Sequence, residues 1–325
     1  PAGQLLRLGS GAFRQASASV PIVEAAPVVG QSAVVAADGS APSVGGDGYS
    51  RRLPDGFDEI VSTAPALGAA YASIATGPDE ALSYVGANAI NELTFDRLYV
   101  GRYAPNGEHT VLADIPLGQP GECPIVVSFF YTNIAVAPDR TVYASVGSCL
   151  YRVLPDGQRY RMRDGQVGSS AGYAGLAVGP DGTLYVSDAD VTGSQILKLV
   201  PTGDWEVVAG TGLIGPSADG VLATSVPIDS RGITIDRSGV LNFQDQSVDA
   251  NTGAAAFRIR KVGPGGIVSP VAGGANLPVR DGWPASASDV SVEDIAIGPD
   301  DALYLAGGRR ITGVAPRRTT GPVAY

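Results

Sequence analysis

The chain has 325 residues with 32 acidic against 22 basic side chains, a formal net charge of −10. It therefore lacks the basic face that nucleic acid or an anionic membrane surface requires of a partner. Hydrophobic residues make up 44% and charged residues 17%, while 44 Gly and 24 Pro are spread along the whole length; this excludes a disordered chain and predicts many short strands joined by many turns. No apolar run approaches the ~18 residues expected of a membrane-spanning helix.

In chain order, the opening PAGQLLRLGSG (Pro1 to Gly11) has the phase of a turn followed by an outermost strand. It starts without Met, which reads as a processed start or a piece of something longer. Residues 15–70 read as one divergent unit, with weak alternation over Ala16 to Ala37. From residue 71 a repeat takes over. IATGPDEALSYVG (Ile74 to Gly86), IAVAPDRTVYASV (Ile134 to Val146), LAVGPDGTLYVSD (Leu176 to Asp188), ITIDRSGVLNFQD (Ile233 to Asp245) and IAIGPDDALYLAG (Ile295 to Gly307) each fold two alternating strands around a tight turn. That is the pattern of a β-hairpin. A second turn follows each hairpin, at Pro105, Pro155, Pro201, Pro264 and, in worn form, Pro316, giving four short strands per unit. The first turns, at Pro78, Pro138, Pro180, Arg237 and Pro299, lie 60, 42, 57 and 62 residues apart, near the roughly 40–50 of propeller repeats once loop insertions are allowed. Radial repetition of four-stranded antiparallel sheets is a β-propeller.

Between the third and fourth of these hairpins runs a glycine-punctuated stretch, VAGTGLIGPSADGVLATSVPI (Val208 to Ile228). It is not read as a phosphate cradle, because no helix follows it. Its second half has a twin: Asp219 to Asp236 matches Asp281 to Gly298, displaced by 62 positions. Both are expected to carry the chain from the outermost strand of one sheet to the innermost strand of the next, with Gly220 among the glycines that allow the tight reversals.

The residues VVAGTG, ADG, ATS, GITIDRSGVL and RIRKVGPGG resemble an NHL-repeat propeller, most closely the modules of bacterial RHS/YD-repeat and teneurin-like proteins. The resemblance covers about Tyr71 to Ala315. It implies an all-β, six-bladed propeller of four-stranded antiparallel blades forming one domain over 1–325, with five recognisable blades over 71–316, a divergent first unit over 1–70, and the ring closed by N- and C-terminal strands, which would hide two sheet edges. The family's usual Tyr in the second strand is replaced by Asn242 and Ser83, and its strand-ending Asp survives as Asp188 and Asp245 but is Gly86 and Gly307 elsewhere. The family role of that Asp, bonding the adjacent loop backbone, makes Asp188 and Asp245 structural rather than catalytic.

Fold alone does not give function, so each candidate side chain is weighed separately. Cys123 and Cys149 are the only cysteines; an even pair near strand ends reads as one disulfide of a secreted protein, with two buried thiols as the alternative. Only Lys198 and Lys261 accompany the arginines, a coding bias pointing to a GC-rich bacterium. The single histidine, His109, follows a turn and is expected on a solvated outer strand, leaving histidine-based catalysis or zinc binding without ligands. Asp229, Glu293 and Asp294 precede innermost strands, where acids could gather at a central channel around a divalent cation, or simply belong to an acidic loop surface. Arg159, Arg161 and Arg163 share one strand face at period two, either as a ridge for an acidic partner or as edge protection. DADVTG (Asp188 to Gly193) lacks the further acids of a calcium loop. The sequence thus points to a non-catalytic scaffold or protein-interaction propeller, secreted or on a bacterial surface, within a larger assembly and with no cofactor or metal. The alternative is a lactonase-like or strictosidine-synthase-like propeller enzyme using the channel carboxylates.

Overall fold

A computed structural model describes residues 4–9, 12–15, 40–45, 47–53, 58–68, 73–91, 94–123, 126–127, 132–164, 172–190, 192–246, 248–249, 257–274, 285, 290, 294–298 and 301–307. Strands β1 (Gln4–Gly9) and β2 (Ala12–Gln15) form a hairpin whose other partners come from the far end of the chain. Next, β3 (Ala41–Gly45), β4 (Gly48–Arg52) and β5 (Asp58–Ser62) make a three-stranded antiparallel sheet. In the following sheet β6 (Ser73–Thr76), β7 (Leu82–Asn91), β8 (Thr94–Tyr103) and β9 (His109–Pro116) are joined by the two-residue β10 (Val126–Val127), which also pairs with β8. Then β11 (Thr132–Val136), β12 (Val142–Val146), β13 (Cys149–Val153) and β14 (Arg159–Asp164) form a four-stranded meander. Another follows in β15 (Gly172–Val178), β16 (Leu184–Asp190), β17 (Gly193–Leu199) and β18 (Trp205–Ala209).

The connector after β18 contains β19 (Pro216–Ser217) and a single 3₁₀ turn, Ala223–Ser225. The next sheet comprises β20 (Ser230–Ile235), β21 (Leu241–Asp245), β23 (Arg258–Val262) and β24 (Val268–Gly273), while the short β22 (Val248–Asp249) pairs in parallel with β19. Last come β25 (Asp294–Ile297) and β26 (Leu303–Gly307). They complete a sheet in the order β2, β1, β26, β25, with Leu6 opposite Leu305. The opening segment therefore supplies two strands, a third and an outermost one, where the sequence suggested the outermost alone. The worn turn at Pro316 lies outside the described residues.

Local chemistry accounts for the hairpins. At all five first turns the N–H of Gly77, Ala137, Gly179, Asp236 or Gly298 donates to the carbonyl four residues on, and the fourth residue's N–H returns to the first residue's carbonyl. That fourth residue has positive φ each time: Glu80 (59°), Arg140 (69°), Gly182 (86°), Gly239 (81°) and Asp301 (59°). Asp139 Oδ1 accepts the Thr141 N–H at 2.9 Å and Asp181 Oδ1 the Thr183 N–H at 3.0 Å. A short Asp side chain thus mimics one more backbone turn.

The core lies between sheets rather than inside any one of them. Val142 and Ala144 of β12 pack with Val85, Leu98 and Val100 of the preceding sheet, while Tyr143 between them packs with Leu176, Leu184 and Val186 of the following one. Alternate side chains of β12 thus serve two cores, and the strand is buried along its full length. Further clusters join β15–β18 to β20–β24, β20–β24 to β25 and β26, and β3–β5 to β6–β9. Ala223, Val226 and Ile228 of the connector fill the space between two sheets, and their twins Ala285 and Val290, 62 positions on, are buried in the next cluster.

Candidate functional site

The innermost strands β6, β11, β15, β20 and β25 carry Ser73, Asn133, Gly175, Gly232 and Asp294 at equivalent positions, four residues before their first turns. Polar side chains there bind neighbouring inner strands. Ser73 Oγ donates to the Thr132 carbonyl at 2.6 Å and Asn133 Nδ2 to the Tyr173 carbonyl at 2.7 Å. From a second strand, Ser187 Oγ donates to the Ser230 carbonyl at 3.1 Å. The approach at Gly175 admits no side chain, since a Cβ would stand 2.6 Å from the Arg231 carbonyl oxygen.

Two of the three candidate channel acids are described, and Glu293 lies outside the described residues. Asp229 is half-buried just before β20. Burial pushes its carboxyl up from the ordinary value; Arg231 opposes this and Asp245 adds to it. Its N–H donates to Asp245 Oδ1 at 3.0 Å, and its carbonyl accepts the Gln246 N–H at 3.0 Å. Asp294 turns Oδ1 back onto the Ile295 N–H at 2.8 Å, close against Gly232. Among the described residues no group of three or more His, Cys, Asp or Glu is placed to hold a metal ion.

The most concentrated charge lies elsewhere. Asp245, at the end of β21, is fully buried together with Arg260 of β23, and Arg258 is almost so. Arg260 Nη1 donates to Asp245 Oδ2 at 2.8 Å and to Ser217 Oγ at 2.6 Å; its Nε reaches Asp219 Oδ1 at 2.9 Å and its Nη2 the Ala218 carbonyl at 2.6 Å. Arg258 Nη2 lies 3.4 Å from both Asp245 Oδ2 and the Ser217 carbonyl. Two strand arginines thus grip three consecutive connector residues, 217–219, and Asp219 and Asp245 together balance their charge, Asp245 also holding the next inner strand's entry through Asp229. Gly220 follows the gripped residues at φ 78°, with open space where a Cβ would be. Asp188, the equivalent of Asp245 on β16, is also buried.

Two sheets earlier the same joint is covalent. Cys123, in the loop leaving β9, forms a disulfide with Cys149 at the start of β13, with Cα atoms 6.1 Å apart. Counted back from the second turn, Cys149 and Tyr151 stand where Arg258 and Arg260 stand on β23. Tyr151 Oη donates to Glu122 Oε2 at 2.9 Å and accepts the Cys123 N–H at 3.1 Å. Here lies the arginine stripe of β14. Arg159 Nη2 pairs with Glu122 Oε1 at 2.9 Å and Arg161 Nη1 donates to the Glu122 carbonyl at 3.0 Å. Burial pushes the Glu122 carboxyl up, but the hydrogen bonds from Arg159 and Tyr151, with the charges of Arg159 and Arg161, outweigh it and leave the group below its ordinary value. Two of the stripe's arginines therefore touch the chain's own preceding loop; Arg163 falls on β14 with its side chain outside the described set. His109 does not sit free in solvent as expected. It opens β9 half-buried, because Tyr84 and Tyr103 flank it.

Sheets in chain order, packed face to face with their first strands innermost, define a β-propeller, and the comparisons with known proteins place the chain in that class. No protein-family model matches the chain. Human teneurin-1 is 28% identical over 210 residues, 59% of this chain, and mouse teneurin-1 is 29% identical over 216. The chain spans only 7% and 8% of the lengths of these two relatives. A solved streptogramin B lyase superposes with a TM-score of 0.53 at 14% identity, covering 91% of this chain and 80% of its own. At that identity the likeness is one of fold.

Proposed function

We propose that the chain is a six-bladed, NHL-like propeller acting as a non-catalytic scaffold within a larger extracellular assembly of the RHS/YD-repeat or teneurin-like kind. The observation that carries this reading is the extent of the teneurin match, which takes up most of this chain and a small fraction of a very long protein. The disulfide supports an oxidising, extracellular setting. Six sheets follow one another by packing, from β3–β5 to β25 and β26, and β1 pairs with β26; on this reading N-terminal strands close the ring. Inner-strand polar groups bonded to neighbouring inner strands suit a wall better than a reaction centre.

The enzyme reading stakes itself on Asp229, Glu293 and Asp294. Cross-linking followed by mass spectrometry on the protein in its native cells tests the proposal. Links from this chain to other parts of the same polypeptide or to one recurrent partner are expected, and Asp229→Asn with Asp294→Asn should leave them unchanged. An ester- or lactone-hydrolysing activity of the purified chain that both substitutions abolish would overturn it.

A further inference from the structure

The only histidine in the chain sits at a joint between two sheets. Its ring stacks on Tyr103 at 4.5 Å between centroids and on Tyr84 at 5.8 Å, and Tyr49 of β4 meets Tyr103 from the neighbouring sheet at 5.5 Å. Two of these tyrosines hold the segment Ala64 to Gly68, which leads from β5 toward β6. Tyr103 Oη donates to the Ala64 carbonyl at 2.6 Å, and Tyr84 Oη accepts the Leu67 N–H at 3.2 Å. The segment is seated tightly: a Cβ on Gly86 would stand 2.2 Å from the Leu67 carbonyl oxygen. His109 Nε2 lies 3.0 Å from the same Tyr84 oxygen.

A tyrosine hydroxyl has one proton to donate. With the Tyr84 oxygen accepting from Leu67, its proton points to Nε2, which accepts it when the imidazole is neutral and carries its own proton on Nδ1. Protonating the imidazole makes Nε2 a donor. The fully buried Tyr84 hydroxyl then has to receive two N–H groups and find another acceptor for its own proton, a cost that falls on the Leu67 bond. We propose that His109 is a pH-sensitive latch on the Ala64–Gly68 connector, closed when neutral and loosened when protonated.

The titratable groups facing the imidazole are Tyr84 of β7, Tyr103 of β8 and, behind it, Tyr49 of β4. Burial raises the first of these and pushes Tyr103 up to about 12, so both stay un-ionised through the range concerned. Arg51 and Glu59, on the Tyr49 face of the neighbouring sheet by alternation, pair with each other at 2.6 Å, and the exposed Glu108 precedes His109 on its own side of the turn. Burial lowers the histidine itself below its ordinary 6.5. The fold therefore favours the neutral ring: its contribution is fully present above 6.5, is lost as pH falls from there, and is gone below the folded-state value.

Because there is one histidine, a single set of imidazole resonances reports it. The test follows those resonances by NMR from pH 8 to 4 together with hydrogen exchange of the Leu67 amide, corrected for intrinsic exchange. We expect an Nδ1–H tautomer, a midpoint below 6.5, and Leu67 protection that falls in step with the titration by up to about tenfold per pH unit, the slope of one linked proton. His109→Gln, whose amide oxygen can still accept from Tyr84 without titrating, should flatten that dependence. An Nε2–H tautomer, or Leu67 protection unchanged across the histidine titration in the wild-type protein, would overturn the proposal, whether or not the variant folds.

Discussion

Replacing Arg260 by Met puts the ion-pair joint to the strongest test. The guanidinium is fully buried and contacts Asp245, Ser217, Ala218 and Asp219 at 2.6 to 2.9 Å. Methionine fills most of the volume, so the loss is electrostatic rather than a cavity. Asp245, itself fully buried, would keep Arg258 at 3.4 Å and the Asp229 N–H at 3.0 Å. Removing one partner of a buried pair costs about 3–5 kcal/mol; the remaining Arg258 puts the expectation near the lower end, about 3 kcal/mol. At roughly 2–4 °C per kcal/mol for a large domain, the thermal midpoint should drop by about 6–12 °C. Calorimetry gives the midpoint, and limited proteolysis should show cleavage appearing first within 210–228, the segment the arginines grip. The equivalent substitution at the exposed Arg97, paired with Asp114 at 2.7 Å, should leave the midpoint unmoved. A loss below about 1 kcal/mol, the size of an exposed pair, or cleavage spread evenly over the chain, would refute the idea that this cluster fastens the connector.

Other outcomes follow from the same contacts. Reducing the Cys123–Cys149 disulfide, which spans 26 residues, should lower stability in denaturant by about 3 kcal/mol, and alkylation after denaturation without reductant should label neither cysteine. Gly86→Ala, which drives a Cβ to 2.2 Å from the Leu67 backbone, should lower the thermal midpoint more than Gly220→Ala, where only the positive φ is strained at a cost of about 1–3 kcal/mol; the reverse order would contradict the packing described. Asp229 has a raised pKa in the fold, so its ionisation weakens the native state as pH rises from the unfolded value toward the folded one. Asp229→Asn should therefore raise the thermal midpoint at pH 7 and lose that advantage near pH 3, and a lower midpoint at pH 7 would contradict it.

What the sequence could announce was whatever rests on near neighbours. The first turns at Pro78, Pro138 and Pro180 are legible because the Asp side chain and the positive-φ residue that make them lie within five positions. The pairing of β1 with β26 was only half legible, since partners some 300 residues apart leave no local mark, and Leu6 opposite Leu305 looks like any apolar strand residue. Arg258 and Arg260 went unremarked for a related reason. The pattern RIR on a third strand did carry a signal, because Leu197 and Tyr151 fill the position of Arg260 in the two preceding sheets, but the acids that make the charge tolerable lie 41 and 15 residues away. The arginine stripe was visible by its period of two; that Arg159 and Arg161 meet Glu122 depends on a loop of the preceding sheet. His109 looked solvated because burial by Tyr84 and Tyr103 comes from two other strands.

On the proposed function, this propeller works as a part of something larger. Native mass spectrometry of the protein isolated gently from its source measures that directly. These 325 residues should be recovered inside a larger species, as one domain of a longer polypeptide or in stoichiometric complex with a single partner. A free monomer with the mass of the 325 residues alone, turning over an ester or lactone in a manner that depends on Asp229, would contradict it.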